Sequence, residues 1–406
     1  MRIPRSLATA VLAPALGLVV TVATLLAIDP GRAGATPVFS RKYGFACTMC
    51  HSAFPRLNDW GQAFRDNGYQ IPGQESREKT VLESPAPFAM RTSVGFLRES
   101  QSHAPDAFHR EGFKVTGLDI LSNGVLSRHA AYEMVVLPQL ADSRDVAGQE
   151  GTIETASVVL RDLACSPWLN VRVGRFEPAY VALSVKRQLS IAPREVYAYG
   201  PPGAGFVFAE PQDGVEVTGY GHCFSYAAGL LNGSATNHPD DDPTDVYARA
   251  AMVIGAGRGQ TAGQRIGVSG YLGRARPDVL PGDRQHLSRL GIDASLNYAT
   301  LNLAGQFLVA RDNKSLWGFS RNDAHWSGWF AELSWQPLFD CVAFARFDRV
   351  ETPVTIPDVT RWTVGARYYL AGDLALHGEF SQRTIRTGAA DLPTEEMEAV
   401  RLDFAF

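Results

Sequence analysis

Apolar and polar residues alternate along most of the chain from Phe88 onward. The alternation is clear in LNVRVGRF (169–176), LGIDASLNY (290–298), WFAELSWQ (329–336) and VTRWTVGARYYL (359–370). A period of two residues is typical of β-strands with one apolar and one polar face. The pattern therefore predicts an all-β architecture for residues 88–406.

Sixteen strands can be placed on this pattern, at 88–99, 113–122, 130–140, 154–164, 169–177, 214–221, 223–232, 245–255, 265–275, 287–298, 301–311, 327–336, 341–349, 359–370, 374–383 and 398–406. Odd-numbered strands are followed by long polar loops, as at 234–245 and 313–325, and even-numbered strands mostly by short turns such as Ala299-Thr300. An even strand count with loops at one end and turns at the other is typical of an outer-membrane barrel. A soluble β-sandwich or propeller is the alternative, but it gives no reason for the loop asymmetry.

The last strand, AVRLDFAF, places Val400, Leu402, Phe404 and Phe406 on one face. A final strand that ends in Phe resembles the C-termini of bacterial outer-membrane barrels. The opposite face of the predicted strands collects charged residues, which a barrel tolerates in its lumen but not toward lipid. The predicted lumen residues are Arg91, Arg161, Arg172, Arg361, Arg367, Arg401, Asp119, Asp293, Glu332, Glu379, Asp403 and His377.

The N-terminus has the composition of an export signal. Arg2 and Arg5 precede an uncharged apolar run at 8–28, and Ala33-Gly34-Ala35 resembles a cleavage site. We predict that residues 1–35 are a signal peptide; an uncleaved anchor is the alternative. Overall, 45% hydrophobic and 20% charged residues exclude a disordered chain, and a net charge of −4 gives no reason to expect nucleic acid as a partner.

The motif C-x-x-C-H occurs once, at Cys47, Cys50 and His51. This spacing predicts covalent attachment of one c-type haem, with two thioether bonds from the cysteines and one axial nitrogen from the histidine. A redox or zinc-binding cysteine pair is the alternative, but no second Cys/His cluster lies nearby. The remaining cysteines, Cys165, Cys223 and Cys341, have no metal-ligand spacing and are expected in turns. One disulfide between two of them is the alternative in an oxidising compartment.

A short helix is predicted after the motif, because Leu57, Trp60, Gly61 and Phe64 follow helical spacing and Asn67-Gly68 is a stop signal. Residues 36–87 are marginal in number for an independent core and lack an evident second axial ligand. We therefore predict a monohaem cytochrome c segment that acts as a plug and needs the barrel to complete its pocket. The iron has an open position, or its second ligand is Met90, the nearest candidate in sequence, or His377.

The stretch PVFSRKYGFACTMCHSAFPRLNDWGQAFRDNGY (37–69), followed by sixteen strands, resembles the fused monohaem cytochrome–porins of the bacterial outer membrane. That family includes outer-membrane iron oxidases. The resemblance implies an Fe(II)-oxidising oxidoreductase that takes electrons from an extracellular donor such as Fe(II) and passes them to periplasmic cytochromes.

Two other functions stay open: a solute porin with a haem-bearing plug, and a periplasmic cytochrome anchored by the barrel. The acidic loop that carries Asp240, Asp241, Asp242 and Asp245 is either a point of attraction for a hard cation or an ordinary solvated loop.

Overall fold

The structure, a computed structural model, describes residues 38–45, 49–53, 56–71, 73–75, 79–83, 87–102, 107–138, 152–180, 183–184, 187–201, 206, 208, 210–221, 223–233, 245–254, 264–275, 285–317, 320–338, 340–352, 357–387 and 390–405. The predicted signal peptide, Cys47, Phe406 and the three aspartates at 240–242 lie outside these residues.

The first elements along the chain are short. Helix α1 (Val38–Tyr43) precedes two small strands, β1 (His51–Ala53) and β2 (Arg56–Leu57), which pair antiparallel. Helix α2 (Asp59–Asp66) follows them. Within the described residues, no helix is both long enough and apolar enough to cross a membrane. We call the described residues of 38–83 the N-terminal segment.

Sixteen further strands form one closed antiparallel barrel, in which β18 pairs back to β3. They are β3 (Phe88–Ser102), β4 (Phe108–Ser127), β5 (Ala130–Leu137), β6 (Thr152–Leu160), β7 (Asn170–Phe176), β8 (Gln212–Tyr220), β9 (Phe224–Leu231), β10 (Asp245–Ile254), β11 (Gln264–Ala275), β12 (Gln285–Tyr298), β13 (Leu301–Trp317), β14 (Ser320–Leu338), β15 (Cys341–Glu351), β16 (Asp358–Ala371), β17 (Leu374–Thr387) and β18 (Ala390–Ala405). Each predicted strand overlaps one of these, so the predicted fold class and strand count are confirmed.

The prediction of a long loop at 313–325 is wrong. Strands β13 and β14 continue to a hairpin at Trp317 and Ser320, with a bulge between Asp312 and Ser315. β17 and β18 likewise extend toward each other, to Thr387 and Ala390. Alternation ends before the strands do, because a strand that projects beyond lipid no longer needs an apolar face.

Outward side chains form an apolar surface around the barrel. Leu272, Leu290 and Ile292 are more than half exposed in the isolated chain. Tyr298, Trp335 and Tyr368 are also exposed, next to short turns. An apolar band edged by aromatic residues is the surface that a barrel presents to a bilayer. We call the end with the short turns, such as Ala299-Thr300 and Gly372-Asp373, the turn end, and the opposite end the loop end.

The connection between β7 and β8 folds into the lumen. We call its described residues, between 177 and 211, the inward segment; it includes helix α3 (Glu195–Ala198). Arg194 forms an ion pair with Glu332 at 3.1 Å, and Glu195 forms ion pairs with Arg361 and Arg383. Because these partners belong to β14, β16 and β17, the inward segment reaches the wall opposite its own strands.

Two of the three barrel cysteines lie in turns, as expected, and the third begins a strand. Cys165 and Cys223 are exposed in connections at the turn end, and Cys341 is the first residue of β15. None of the three forms a disulfide in the part of the chain that the structure describes.

Candidate functional site

The N-terminal segment lies inside the turn end of the barrel. Gln70 donates to the carbonyl of Arg128 at 3.1 Å, in the turn between β4 and β5. On the far side, Arg56 donates to Asn302 and to Ser334 Oγ, close to the turns of β12–β13 and β14–β15. Contacts with both walls mean that the segment spans the lumen at this end.

Helix α2 has the ends that its sequence predicts, with a shifted start. The side chain of Asn58 caps the helix by accepting from the amide of Gly61 at 2.8 Å, so Leu57 belongs to β2 and not to the helix. The helix ends at Asn67, and Gly68 has a φ of 64°, a conformation that favours glycine. The predicted helix is therefore confirmed, with its first turn two residues later.

An aromatic cluster holds α1 and α2 together. The ring of Phe64 meets Phe39 edge-on at 5.0 Å and stacks on Trp60 at 5.3 Å between ring centroids. Tyr69 stacks on Phe39 at 5.1 Å and is buried with Phe64 against Ala131 of β5. Such ring pairs contribute about 0.5–1.5 kcal/mol each beyond their burial. They give the small segment a core that depends on the barrel wall.

The start of α2 packs directly on the C-x-x-C-H motif. The amide of Asn58 donates to the carbonyl of Cys50 at 2.9 Å. A Cβ placed on Gly61 would lie 2.1 Å from that same carbonyl oxygen, so only glycine fits this contact. The helix therefore fixes the backbone of Cys50.

Cys50 and His51 line a cavity between the N-terminal segment and the barrel wall. It has about 1360 Å³ free of protein atoms, a volume that includes its opening to solvent. Its apolar lining comes from both sides, and its basic residues are Arg65, Arg91 and Arg187. The apolar lining residues are Val38, Phe39, Phe45, Leu57, Phe64, Ala89, Met90, Leu121, Leu374, Ala375 and Ala405.

These residues fit a c-type haem by their chemistry. The thiol of Cys50 and the imidazole of His51 belong to adjacent residues, and apolar groups line the space. The three guanidinium groups of the lining are each paired with a carboxylate of the protein. Cys47, the other predicted attachment residue, lies outside the described residues.

The charges around the cavity are mostly balanced. Arg187, from the inward segment, forms an ion pair with Glu133 at 3.0 Å, and Asp403 pairs with Arg367 at 2.6 Å. Burial, and then the Glu133 carboxylate, raises the pKa of Tyr69 far above its ordinary value, so this tyrosine stays neutral.

Glu75 ties the N-terminal segment to the turn after β6. Burial opposes ionisation of Glu75, but hydrogen bonds from backbone amides and Asn67, and the charge of Arg161, outweigh it and lower the pKa of Glu75. Arg161 is also within 3.5 Å of Glu75 and donates to Gln70. The carboxylate is therefore charged and holds the segment in place.

The two candidates for a second axial ligand have different positions. Met90 lines the cavity, but it lies between Ala89 and Arg91 on β3. Arg91 faces the lumen, where it pairs with Asp119, so strand alternation puts the side chain of Met90 on the outer face. Both ring nitrogens of His377 have partners: Arg367 donates to Nδ1 at 3.2 Å, and Nε2 is 3.0 Å from Glu379. His377 therefore has no nitrogen left for iron.

The other predicted lumen residues are in the lumen, and all except Glu379 join an ion pair. Glu379 contacts His377 and accepts hydrogen bonds from the amides of Ile191 and Ala192. The ion pairs are Arg91–Asp119, Arg161–Glu75, Arg172–Glu216, Arg194–Glu332, Arg249–Asp293, Arg361–Glu195, Arg367–Asp403 and Arg401–Asp403.

Asp245 does not belong to a solvated acidic loop. It is fully buried at the start of β10 and accepts from the amide of Arg274 and the hydroxyl of Tyr271. Over the ranges that the structure describes, no group of three or more His, Cys, Asp or Glu residues could hold a metal ion.

Three solved structures have the same fold. An anion-selective porin from Comamonas acidovorans has a TM-score of 0.59 and 12% identity, over 79% of this chain and 99% of that one. The outer-membrane channel DcaP of Acinetobacter baumannii has a TM-score of 0.57 and 9% identity, over 80% and 99% of the chains. Salmonella typhi OmpF, solved with daunomycin, has a TM-score of 0.53 and 11% identity, over 78% and 97%.

The fold is that of a porin. At these identities the similarity extends to the fold alone. No protein-family model and no curated protein matches the sequence.

Sequence reasoning missed several residues of the cavity. Arg65, Tyr69, Asn123, Glu133 and Arg187 all line it. Arg187 belongs to a connection that a strand pattern predicts only as a loop. Its place in the cavity depends on the folding of that loop into the barrel, for which periodicity gives no signal.

Proposed function

We propose that the protein transfers electrons through one c-type haem held at the turn end of an outer-membrane porin barrel. Cys47 and Cys50 attach the haem, and His51 is an axial ligand. The observation that carries the proposal is that Cys50 and His51 line one cavity, which apolar side chains of the barrel wall help to close and which Arg65, Arg91 and Arg187 also line. On this proposal the chain is a member of the fused cytochrome–porins that its N-terminal motif resembles.

The residues around the cavity have separate tasks. Bound there, the haem would supply a one-electron centre between a donor and a soluble cytochrome. His51 supplies the imidazole nitrogen, and α2 holds the adjacent Cys50 through the contact at Gly61. Phe39, Phe64 and their neighbours exclude water from one side. The reduction potential of such a centre depends on its burial from water and on whether the protein supplies a second axial ligand.

The partners follow from the orientation of the barrel. Outer-membrane barrels have short turns in the periplasm and longer loops outside. The turn end, with the cavity, therefore faces periplasmic cytochromes, which accept the electrons. The donor, such as Fe(II), comes from outside and enters through the lumen.

The cofactor is tested by haem staining of outer-membrane fractions after denaturing electrophoresis. We expect a stained band for the wild-type protein and for Cys165→Ser, a matched control with an exposed cysteine at the same end. Cys50→Ser should lose most of the covalent stain, because one thioether bond is gone. His51→Gln should change the haem absorption spectrum. An unstained wild-type band refutes the haem, and a stained band only in the soluble fraction refutes the location.

Electron transfer needs a separate test. Purified protein in liposomes receives Fe(II) outside, and the haem absorption reports reduction. An oxidised periplasmic cytochrome is then added on the side of the turn end, and the haem absorption reports whether the reduced haem is oxidised again. Absence of reduction by Fe(II) and by other small donors would end the electron-transfer proposal, even if the haem is present.

A solute channel is the second candidate, and the porin fold favours it. One similar porin is described as anion-selective, and the lumen of this chain carries arginines such as Arg289 and Arg346, both of which are paired with carboxylates. Single-channel conductance in a planar bilayer separates the two functions. A steady open current in the wild-type protein favours the channel, whereas a closed barrel that stains for haem favours electron transfer. A periplasmic cytochrome anchored by the barrel would show neither current nor reduction by an external donor.

A further inference from the structure

The cavity that Cys50 and His51 line is bounded by two different parts of the chain. His51 belongs to the N-terminal segment, whereas Leu121 and Asn123 on β4 and Ala375 on β17 belong to the barrel wall. A haem held through His51 on the N-terminal side would therefore turn its second axial position toward the barrel wall. What that position binds depends on the groups that the wall presents.

The carboxylates of this wall already have partners. Glu133 is 3.0 Å from Arg187 and also accepts a hydrogen bond from Tyr69. Asp403 is 2.6 Å from Arg367. A carboxylate that leaves such a pair strands the charge of a buried or partly buried arginine, which is costly. Neither carboxylate is therefore expected to bind iron.

Tyr69 lines the same cavity from the N-terminal segment, but its hydroxyl is a poor ligand. A tyrosine binds haem iron best as the phenolate. Burial, and then the Glu133 carboxylate, raise the pKa of Tyr69, so its hydroxyl keeps the proton. The ring is also fixed in its stack with Phe39.

Asn123 presents an unsatisfied polar atom on the wall of the cavity. Its amide oxygen, Oδ1, is buried and accepts no hydrogen bond within the part of the chain that the structure describes. Asn123 lies two positions from Leu121 on the inward face of β4, directly across from Glu133. Because a buried carbonyl oxygen without a donor costs free energy, a molecule in the cavity that supplies an N–H or O–H would relieve this cost.

We propose that the second axial position of the haem is open toward the barrel wall, and that Asn123 holds a small exogenous ligand there through Oδ1. The ligand needs a lone pair for iron and an N–H or O–H for Asn123. It is neutral, because the lining is apolar and its charged groups are paired within the protein. Water is the simplest such molecule. The inference rests on the proposed haem, and it adds the binding of a small molecule to electron transfer.

The site is tested with two probes that differ only in one hydrogen-bond donor. Imidazole and 1-methylimidazole bind iron through the same type of nitrogen, but the second has no N–H. The oxidised, haem-loaded, full-length protein in detergent is titrated with each probe, and the haem absorption spectrum reports binding.

The wild type should bind both probes, and imidazole about five-fold more tightly, the ratio that corresponds to one hydrogen bond of about 1 kcal/mol. Asn123→Leu keeps a side chain of similar size without the amide, so it should bind the two probes equally. A merely structural role of Asn123 would change both affinities by the same factor and leave their ratio at five.

Ser157→Ala is the matched control. Ser157 on β6 also has a buried oxygen that lacks a partner among the described residues, but it is not one of the described residues that line the cavity. This variant should keep the five-fold preference for imidazole. Electrophoresis of unheated and heated samples checks that each variant is a folded barrel.

Three results would overturn the inference. No spectral change with either probe in haem-stained wild type means that a protein side chain fills the second position. Equal binding of the two probes by the wild type, or an unchanged preference in Asn123→Leu, means that Asn123 does not hold the ligand. In all three cases the stained haem and its electron transfer stand, whereas an unstained wild-type band removes the proposed haem and this inference together.

Discussion

Replacement of Arg346 by Met should release the inward segment from the barrel wall. Arg346 is fully buried on β15 and donates to Asp348 at 2.7 Å. It also donates to Ser190 Oγ at 2.5 Å and to the carbonyls of Ala192 and Pro193, each at 2.8 Å. One guanidinium thus joins the strand to three residues of the inward segment.

The cost can be worked out from these contacts. Removal of one partner of a buried charge pair costs about 3–5 kcal/mol, because the remaining charge is left in a poorly solvated place. Here the uncompensated charge is Asp348, while Glu332 keeps Arg194 at 3.1 Å. A change of this size shifts the equilibrium between docked and released segment by about two to more than three orders of magnitude.

The assays are protease cleavage within 177–211 and single-channel conductance. We expect faster cleavage and larger or more frequent openings in Arg346→Met. Arg346→Met with Asp348→Leu removes the unpaired charge and should recover part of the loss, but not the bonds to the inward segment. Arg349→Met, which removes an outward arginine on the same strand, should change neither assay. Wild-type cleavage and conductance in Arg346→Met would refute the role of this arginine as the anchor.

Three further predictions concern the N-terminal segment. The pKa of Glu75 is lowered in the folded protein, so the carboxylate stabilises the docked segment above its ordinary pKa of 4.5, and this stabilisation is lost as the pH falls through the lowered pKa. Amide hydrogen exchange of the N-terminal segment should therefore increase in that acidic range, and Glu75→Gln should abolish this pH-dependent increase. Gly61→Ala should push α2 away from Cys50 and lower haem stain per barrel, whereas Gly378→Ala, where a Cβ meets nothing, should not. Met90→Leu should leave the haem spectrum unchanged, because strand alternation places this side chain outward; a changed spectrum would identify it as a ligand.

The strands were predictable because lipid imposes a strict pattern. A strand that faces hydrocarbon on one side and a charged lumen on the other must alternate, so Leu290 and Ile292 face outward while Arg289 and Asp293 face inward. The same alternation gave the lumen positions of Arg367, His377 and Asp403. Strand ends were less predictable, since beyond the bilayer both faces are wet and the pattern is lost.

The cavity was only half predictable. The motif identifies Cys50 and His51 by their spacing, without any information about the fold. Arg187 and Glu133 reach the cavity through tertiary structure, because one lies on a loop that turns inward and the other on the wall it meets. His377 was a candidate ligand in the sequence, but Arg367 on the neighbouring strand and Glu379 on its own strand contact its two ring nitrogens. Side-chain type shows what a residue can bind; only packing shows what already binds it.

The position of the cavity limits how an external donor could reach the haem that we propose there. The apolar band of such a barrel is about 25 Å tall, and the cavity lies at its turn end. The inward segment crosses the lumen between the loop end and the cavity, so a bulky donor would be stopped there and a small ion would have to pass it. Arg346→Met should therefore speed haem reduction by external Fe(II), in step with its conductance. If reduction by external Fe(II) is unchanged while conductance rises, the ion does not travel through the lumen, and the haem exchanges electrons only with partners at the turn end.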